Sequence, residues 1–341
     1  MNLKFIDATL RDGSHAIKHQ FSRNMVSDYC HQIDKSGVYA VIVGHGNGLG
    51  ASTLQVGLSK ETDDVLLRSA IKELKHTKLG VYMIPGFGTI EDDLEPAIKI
   101  GASLFKIGCQ CTEADTTKQH IEYLSKQDKE VYGVLMMYHM TTTSRLVEEA
   151  KKMQDYGAKG VILMDSAGAS TPELVKKTIS TLRNKLNIEI GFHAHNNLGL
   201  AVSNSYIAIQ EGCSIIDGTI KGYGAGAGNC PLETLVALLK KENYNLKDLD
   251  WYKLLDVADS VVSKYPGAST TESVSIVSGV AGVFSAFKTH VLRAAEYFNV
   301  DPRDIFFELG RRKAMAGQED MIIDIASELQ RKKNIDNSVS F

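Results

Sequence analysis

Eight short apolar or β-branched runs, each followed by a stretch with helical periodicity, restrict this chain to very few architectures. The runs are Leu3–Asp7, Tyr39–Val43, Val81–Ile84, Leu104–Ile107, Val131–Met136, Val161–Met164, Ile188–Phe192 and Ser214–Asp217. Between them the apolar period lengthens: Met25, Tyr29 and Ile33 share one helix face, as do Leu67, Ala70, Ile71 and Leu74. Thr171-Pro172 reads as an N-cap with proline in the first turn. Eight strands alternating with helices predict a parallel α/β sheet, and eight is the number that closes a (β/α)8 TIM barrel. An open doubly wound sheet would satisfy the same spacing. After about residue 230 the strand signals fade. Asp301-Pro302 opens a helix that Gly310 is expected to end, and Asp320 to Leu329 repeats the 3–4 apolar spacing. We expect a barrel catalytic domain over residues 1–232 and a helical C-terminal region over 233–341, packed on the barrel with no Pro/Ser-rich linker.

At 341 residues the chain can bury a large core without metal or disulfides to fold it. Its net charge is −3, with Lys and Arg scattered. That argues against nucleic acid or an anionic membrane as the main partner. Met1–Asp7 carries no long apolar segment, and the longest uncharged stretch, Ser273 to Phe287, falls short of a membrane span. The odd set of five cysteines fits a reducing compartment, so a cytoplasmic location is expected.

Two segments carry the chemistry. His193-Ala194-His195-Asn196-Asn197 closes the seventh run, and residues at i and i+2 of a strand point to one side, so both imidazoles can converge on one ion. Thr9-Leu10-Arg11-Asp12-Gly13-Ser14-His15 follows the first run and puts a carboxylate, a guanidinium and an imidazole on one turn. Catalytic groups of such barrels sit at the C-terminal ends of strands, where both segments fall. Asp12, His193 and His195 would leave coordination positions open, as a catalytic metal needs. By itself an H-x-H pair is more often two satisfied histidines; the shared placement of both segments is what favours a metal.

These residues resemble a known family. Asp7-Ala8-Thr9-Leu10-Arg11-Asp12-Gly13-Ser14-His15-Ala16 and His193-Ala194-His195-Asn196-Asn197-Leu198 resemble the metallolyase superfamily of isopropylmalate synthases and 3-hydroxy-3-methylglutaryl-CoA lyases. Cys111–Asp115, Gln119–Tyr123, Leu135–Met137, Gly224–Asn229 and Gly317–Met321 narrow the likeness to the 4-hydroxy-2-oxovalerate aldolases, over essentially the whole chain. The resemblance implies a class II pyruvate aldolase that yields pyruvate and acetaldehyde or another aldehyde. It implies a divalent metal, usually Mn2+ with Mg2+ or Co2+ as alternatives, on Asp12, His193 and His195. Arg11 would steady the enolate, His15 would take the C4 hydroxyl proton, and Ser166 and His193 would contact substrate. It also implies an acylating acetaldehyde dehydrogenase as partner, bound through the C-terminal region.

The chain departs from the family's pattern at several points. Phe284, in Gly282-Val283-Phe284-Ser285, stands where the family carries tyrosine, and Lys106-Ile107-Gly108-Cys109-Gln110 replaces its fourth-strand segment. Asn196 and Tyr138 are further changes. Two other readings therefore stay open: an acyl-CoA metallolyase of the same superfamily, and a drifted non-catalytic paralogue that binds a dehydrogenase. Gly222–Ala227 fits a dinucleotide fingerprint, yet no fresh βαβ unit follows it. We expect its glycines to let a loop approach the site, with Asn229 an extra metal or water contact. Asp165 and Asp217 are expected to orient neighbours rather than act as acids.

Overall fold

The computed structural model describes residues 3–267 and 273–339; the remainder of the expected C-terminal range, 268–272 and 340–341, lies outside the described residues. Its eight strands are β1 (Lys4–Asp7), β2 (Ala40–Ile42), β3 (Lys78–Met83), β4 (Leu104–Gln110), β5 (Glu130–Met136), β6 (Gly160–Asp165), β7 (Glu189–Ala194) and β8 (Ile215–Gly218). They pair in sequence order, all parallel, and β8 returns to β1 to close the barrel. Closure excludes the open sheet.

Alternation along each strand sorts side chains between two layers. In β6, Val161 and Leu163 face outward into the core shared with the helices, while Ile162 and Met164 point into the barrel. The same period sends Lys106, His193 and Asp217 inward. The outer ring is α1 (Arg23–Ile33), α2 (Asp63–Glu73), α3 (Glu95–Ile100), α4 (Lys118–Lys126), α5 (Thr143–Asp155), α6 (Pro172–Lys185), α7 (Ala201–Gln210) and α8 (Leu232–Lys241). Thr171 caps α6 as expected, its side chain accepting from Leu174 N, with Pro172 in the first turn.

Among the described residues five α-helices follow: α9 (Trp251–Ser260), α10 (Ser273–Ala281), α11 (Lys288–Phe298), α12 (Pro302–Arg311) and α13 (Asp320–Val339). Leu254, Val257 and Val262 still belong to the barrel's core, whereas residues from Val274 to Ala326 form a second core. Gly310 does not end α12, which runs on to Arg311. Its Cβ would lie 2.3 Å from the Ala281 carbonyl, so the glycine serves the close packing of α12 on α10.

The N-terminal end of the barrel is plugged by a polar cluster. Glu130 accepts from Tyr39 Oη at 2.7 Å, Lys78 Nζ at 2.5 Å and Tyr132 Oη. Lys4 reaches Glu189 at 2.7 Å and Tyr132 Oη at 2.9 Å. Burial would raise the Glu130 carboxyl, but hydrogen bonds from Lys78, Tyr132 and Tyr39 bring it down to about 2.

Candidate metal centre and reaction chamber

The turn after β1 is fixed before any ligand arrives. Asp7 accepts from the Thr9 backbone and hydroxyl and from Tyr29 Oη, and the Thr9 hydroxyl accepts in turn from Ile220 N. A short 3-10 turn, Asp12–His15, then presents its side chains at the C-terminal mouth. Asp12 is buried; its Oδ1 accepts from Arg11 Nη1 at 2.9 Å, and its Oδ2 from Asn229 Nδ2 at 2.5 Å and Ala225 N at 3.1 Å. Gly224 permits that approach, since a Cβ there would lie 2.5 Å from Asp12 Oδ2 and closer still to Asn229. The glycine loop is thus a clamp on Asp12, and Asn229 reaches that carboxylate by its amide.

Opposite, His193 and His195 leave β7 on the same side, their Nε2 atoms 3.4 Å apart. His195 Nε2 stands 3.9 Å from Asp12 Oδ1. Donor atoms of Asp12, His193 and His195 all lie within 4.8 Å of one another. His193 is paired in register with Asp217, whose Oδ1 lies 3.3 Å from His193 Nδ1. That carboxylate favours the proton on Nδ1 and leaves the Nε2 lone pair to a cation. Asp217 also meets Lys106 Nζ, both fully buried. Burial alone would raise the Asp12 carboxyl; the neighbouring His195 and Arg11 hold it well below the usual carboxylate range. Burial pushes the His195 imidazole down to about 4, the neutral form that ligation requires. One ionised carboxylate and two imidazoles, with the carboxylate already oriented, fit a divalent cation.

A tight chamber, with about 10 Å³ of free space, lies above this cluster. Arg11, Asp12, His15 and His195 form its polar side; Ile84, Met136, Met164 and Phe284 form its apolar side. Arg11 rests on the Tyr82 ring, 4.8 Å from the centroid, and donates to Gly46 O at 3.2 Å. Its Nε and Nη2 are buried with no partner, and donors so placed need a ligand. His15 is half-buried, and burial pushes its imidazole down to about 3. It packs on Gly46, where a Cβ would lie 2.4 Å from His15 Nε2.

Ser166 is fully buried at the tip of β6; its Oγ accepts from Met137 N at 3.3 Å, and it does not line the chamber. Asp165 accepts from Ala169 N and Ser170 N, holding the turn after β6. Tyr82, Asn47 and the Lys106 pairing escaped the sequence reading, although a lysine inside an apolar strand was a visible signal. Asn197 was missed as well: its amide bonds Ser275 O at 3.1 Å and Ser278 Oγ at 2.7 Å, and it accepts from Ser285 Oγ at 3.0 Å, pinning the tail over the barrel.

Residues 2–261 match the HMGL-like family, and residues 269–331 match the DmpG-like communication domain. A 4-hydroxy-2-oxovalerate aldolase of Pectobacterium atrosepticum is 49% identical over 98% of this chain and 96% of its own length. This chain belongs to the 4-hydroxy-2-oxovalerate aldolase family. A second member of that family, from Spirochaeta aurantia, is 48% identical over 96% of both chains. The carboxyl transferase domain of Rhizobium etli pyruvate carboxylase, solved with pyruvate, shares the fold at a TM-score of 0.79 and 13% identity, covering 97% of this chain and 62% of that one. Among the described residues no helix is long and apolar enough to cross a membrane.

Proposed function

We propose that the protein is a class II pyruvate aldolase that cleaves 4-hydroxy-2-oxovalerate, or a related 4-hydroxy-2-oxo acid, to pyruvate and an aldehyde. The observation that carries this reading is the joint grip of Asp12, His193 and His195 beside the unpartnered Arg11 donors. A divalent ion held by these three residues, Mn2+ by preference, would supply Lewis acidity to the substrate's 2-keto group. Arg11 directs Nε and Nη2 at the oxygen on which negative charge develops as the C3–C4 bond breaks. The neutral His15 imidazole takes the C4 hydroxyl proton as that carbon becomes the aldehyde carbonyl. Ile84, Met136, Met164 and Phe284 surround the departing aldehyde and keep water from the carbanion. His193 acts as a ligand oriented by Asp217.

The C-terminal region carries the contact with an acylating acetaldehyde dehydrogenase, as the communication-domain match supports. The test is a panel of 4-hydroxy-2-oxo acids with chelated and Mn2+-replete protein. Pyruvate should appear only with metal, without release of CoA thiol. If metal-replete protein frees no pyruvate from any of them, the reading is lost.

A further inference from the structure

A second cavity, of about 230 Å³, opens above the chamber between the barrel loops and the start of α11. The two share walls: His15, Ala225 and Ala286 line both. Around the outer cavity stand Lys18, Lys288 and Arg293, with His19 and His290, and none of the described lining residues is acidic. Burial lowers the pKa of His19 and His290, so Lys18 and Arg293 are the exposed charges of this lining. Lys18 comes from a barrel loop and Arg293 from α11, so the two exposed cations flank the cavity from different elements. Glu319 and Asp320 occupy an adjoining groove that shares His290 and Arg293.

We propose that this outer cavity is a vestibule that gathers small carboxylate anions and delivers them to the metal chamber, while neutral aldehydes gain nothing from it. The inference rests on the aldolase reading, whose acid substrate and pyruvate product are anions and whose second product is neutral. A cleft lined by one sign of charge between low-dielectric walls raises the local concentration of the opposite sign. The two cavities meet at their shared wall, and salt weakens such attraction beyond a Debye length, about 8–10 Å at ordinary ionic strength.

The experiment is aldol synthesis from pyruvate and acetaldehyde by the Mn2+-loaded full chain, with each substrate varied over a range of salt. Lys18→Glu and Arg293→Glu are compared with the parent; both side chains are exposed and neither touches the metal cluster. The KM for pyruvate should rise with salt, and by roughly three- to ten-fold in each variant, one charge reversal removing part of the roughly 10- to 10³-fold that whole clefts produce. The KM for acetaldehyde and kcat should stay level, and the variants should lose salt sensitivity toward pyruvate. An unchanged pyruvate KM, or parallel changes in both constants, overturns the vestibule. A parent enzyme that makes no aldol product overturns the aldolase reading itself.

Discussion

The two ends of the barrel use polar side chains in opposite ways. At the N-terminal end Lys4, Tyr39, Lys78, Glu130, Tyr132 and Glu189 satisfy one another, each charge with an opposite charge or hydroxyl in reach. At the C-terminal mouth Arg11 Nε and Nη2, His195 Nδ1 and Asn229 Oδ1 are buried without partners. A saturated cluster stabilises the closed barrel. An unsaturated one, held rigid by Asp7, Asp217 and the glycine clamp, sacrifices stability for a ligand it awaits. The difference separates what folds the protein from what works in it.

Substitutions at the two ends should therefore move different observables. His195→Ala should lower kcat/KM for pyruvate release by roughly 10³-fold or more and abolish stoichiometric metal binding, while the thermal midpoint of the metal-free protein holds. A large loss of apo stability would erase the distinction between the ends. Arg11→Lys keeps the charge but not the fork of donors, and a kcat loss on the order of 10²-fold is expected with metal affinity retained; steady-state rates beside metal titration check it. At the other end Glu130→Gln should cost about 1–3 kcal/mol in chemical denaturation, with kcat within two-fold of the parent.

The mouth should also be the acid-labile end. Burial pushes His15 down to about 3, and His45 and His195 to about 4, each below the ordinary imidazole value of 6.5. The unfolded chain then binds protons that the folded one refuses between about pH 6.5 and 4. Stability is full above that window and falls as pH drops through it; thermal midpoints of apo protein at pH 7.5 and 5 should show the decline. The smallest effect is expected at Phe284→Tyr, where a hydroxyl added to the apolar wall should shift the KM for aldehydes a few-fold and leave that for pyruvate alone.

Much of this was legible in the residues. All eight strand runs became strands because strong β-branched segments separated by helical periods leave little freedom, and the His193–His195 pair followed from strand alternation alone. Strand ends are set by tertiary pairing: β3 begins at Lys78, ahead of the run at Val81, because its first residues pair with β2 and feed the polar plug, a demand with no local signature. Gly310 looked like a helix stop and proved to be a packing contact, which only the neighbouring helix reveals. The pairing of Lys106 with Asp217, and the seat of Asn197 among Ser275, Ser278 and Ser285, join residues far apart in the chain. Spacing cannot disclose such partners.

Phe284 belongs to two cores at once, touching the barrel interior on one side and the helical tail on the other. The reactor is consequently not a self-contained cylinder: one panel of its wall is hung from the tail. Any load on that tail, from a docking protein or a change in helix packing, reaches the apolar wall of the chamber through Phe284. That wall can thus be displaced by contacts made wholly outside the barrel.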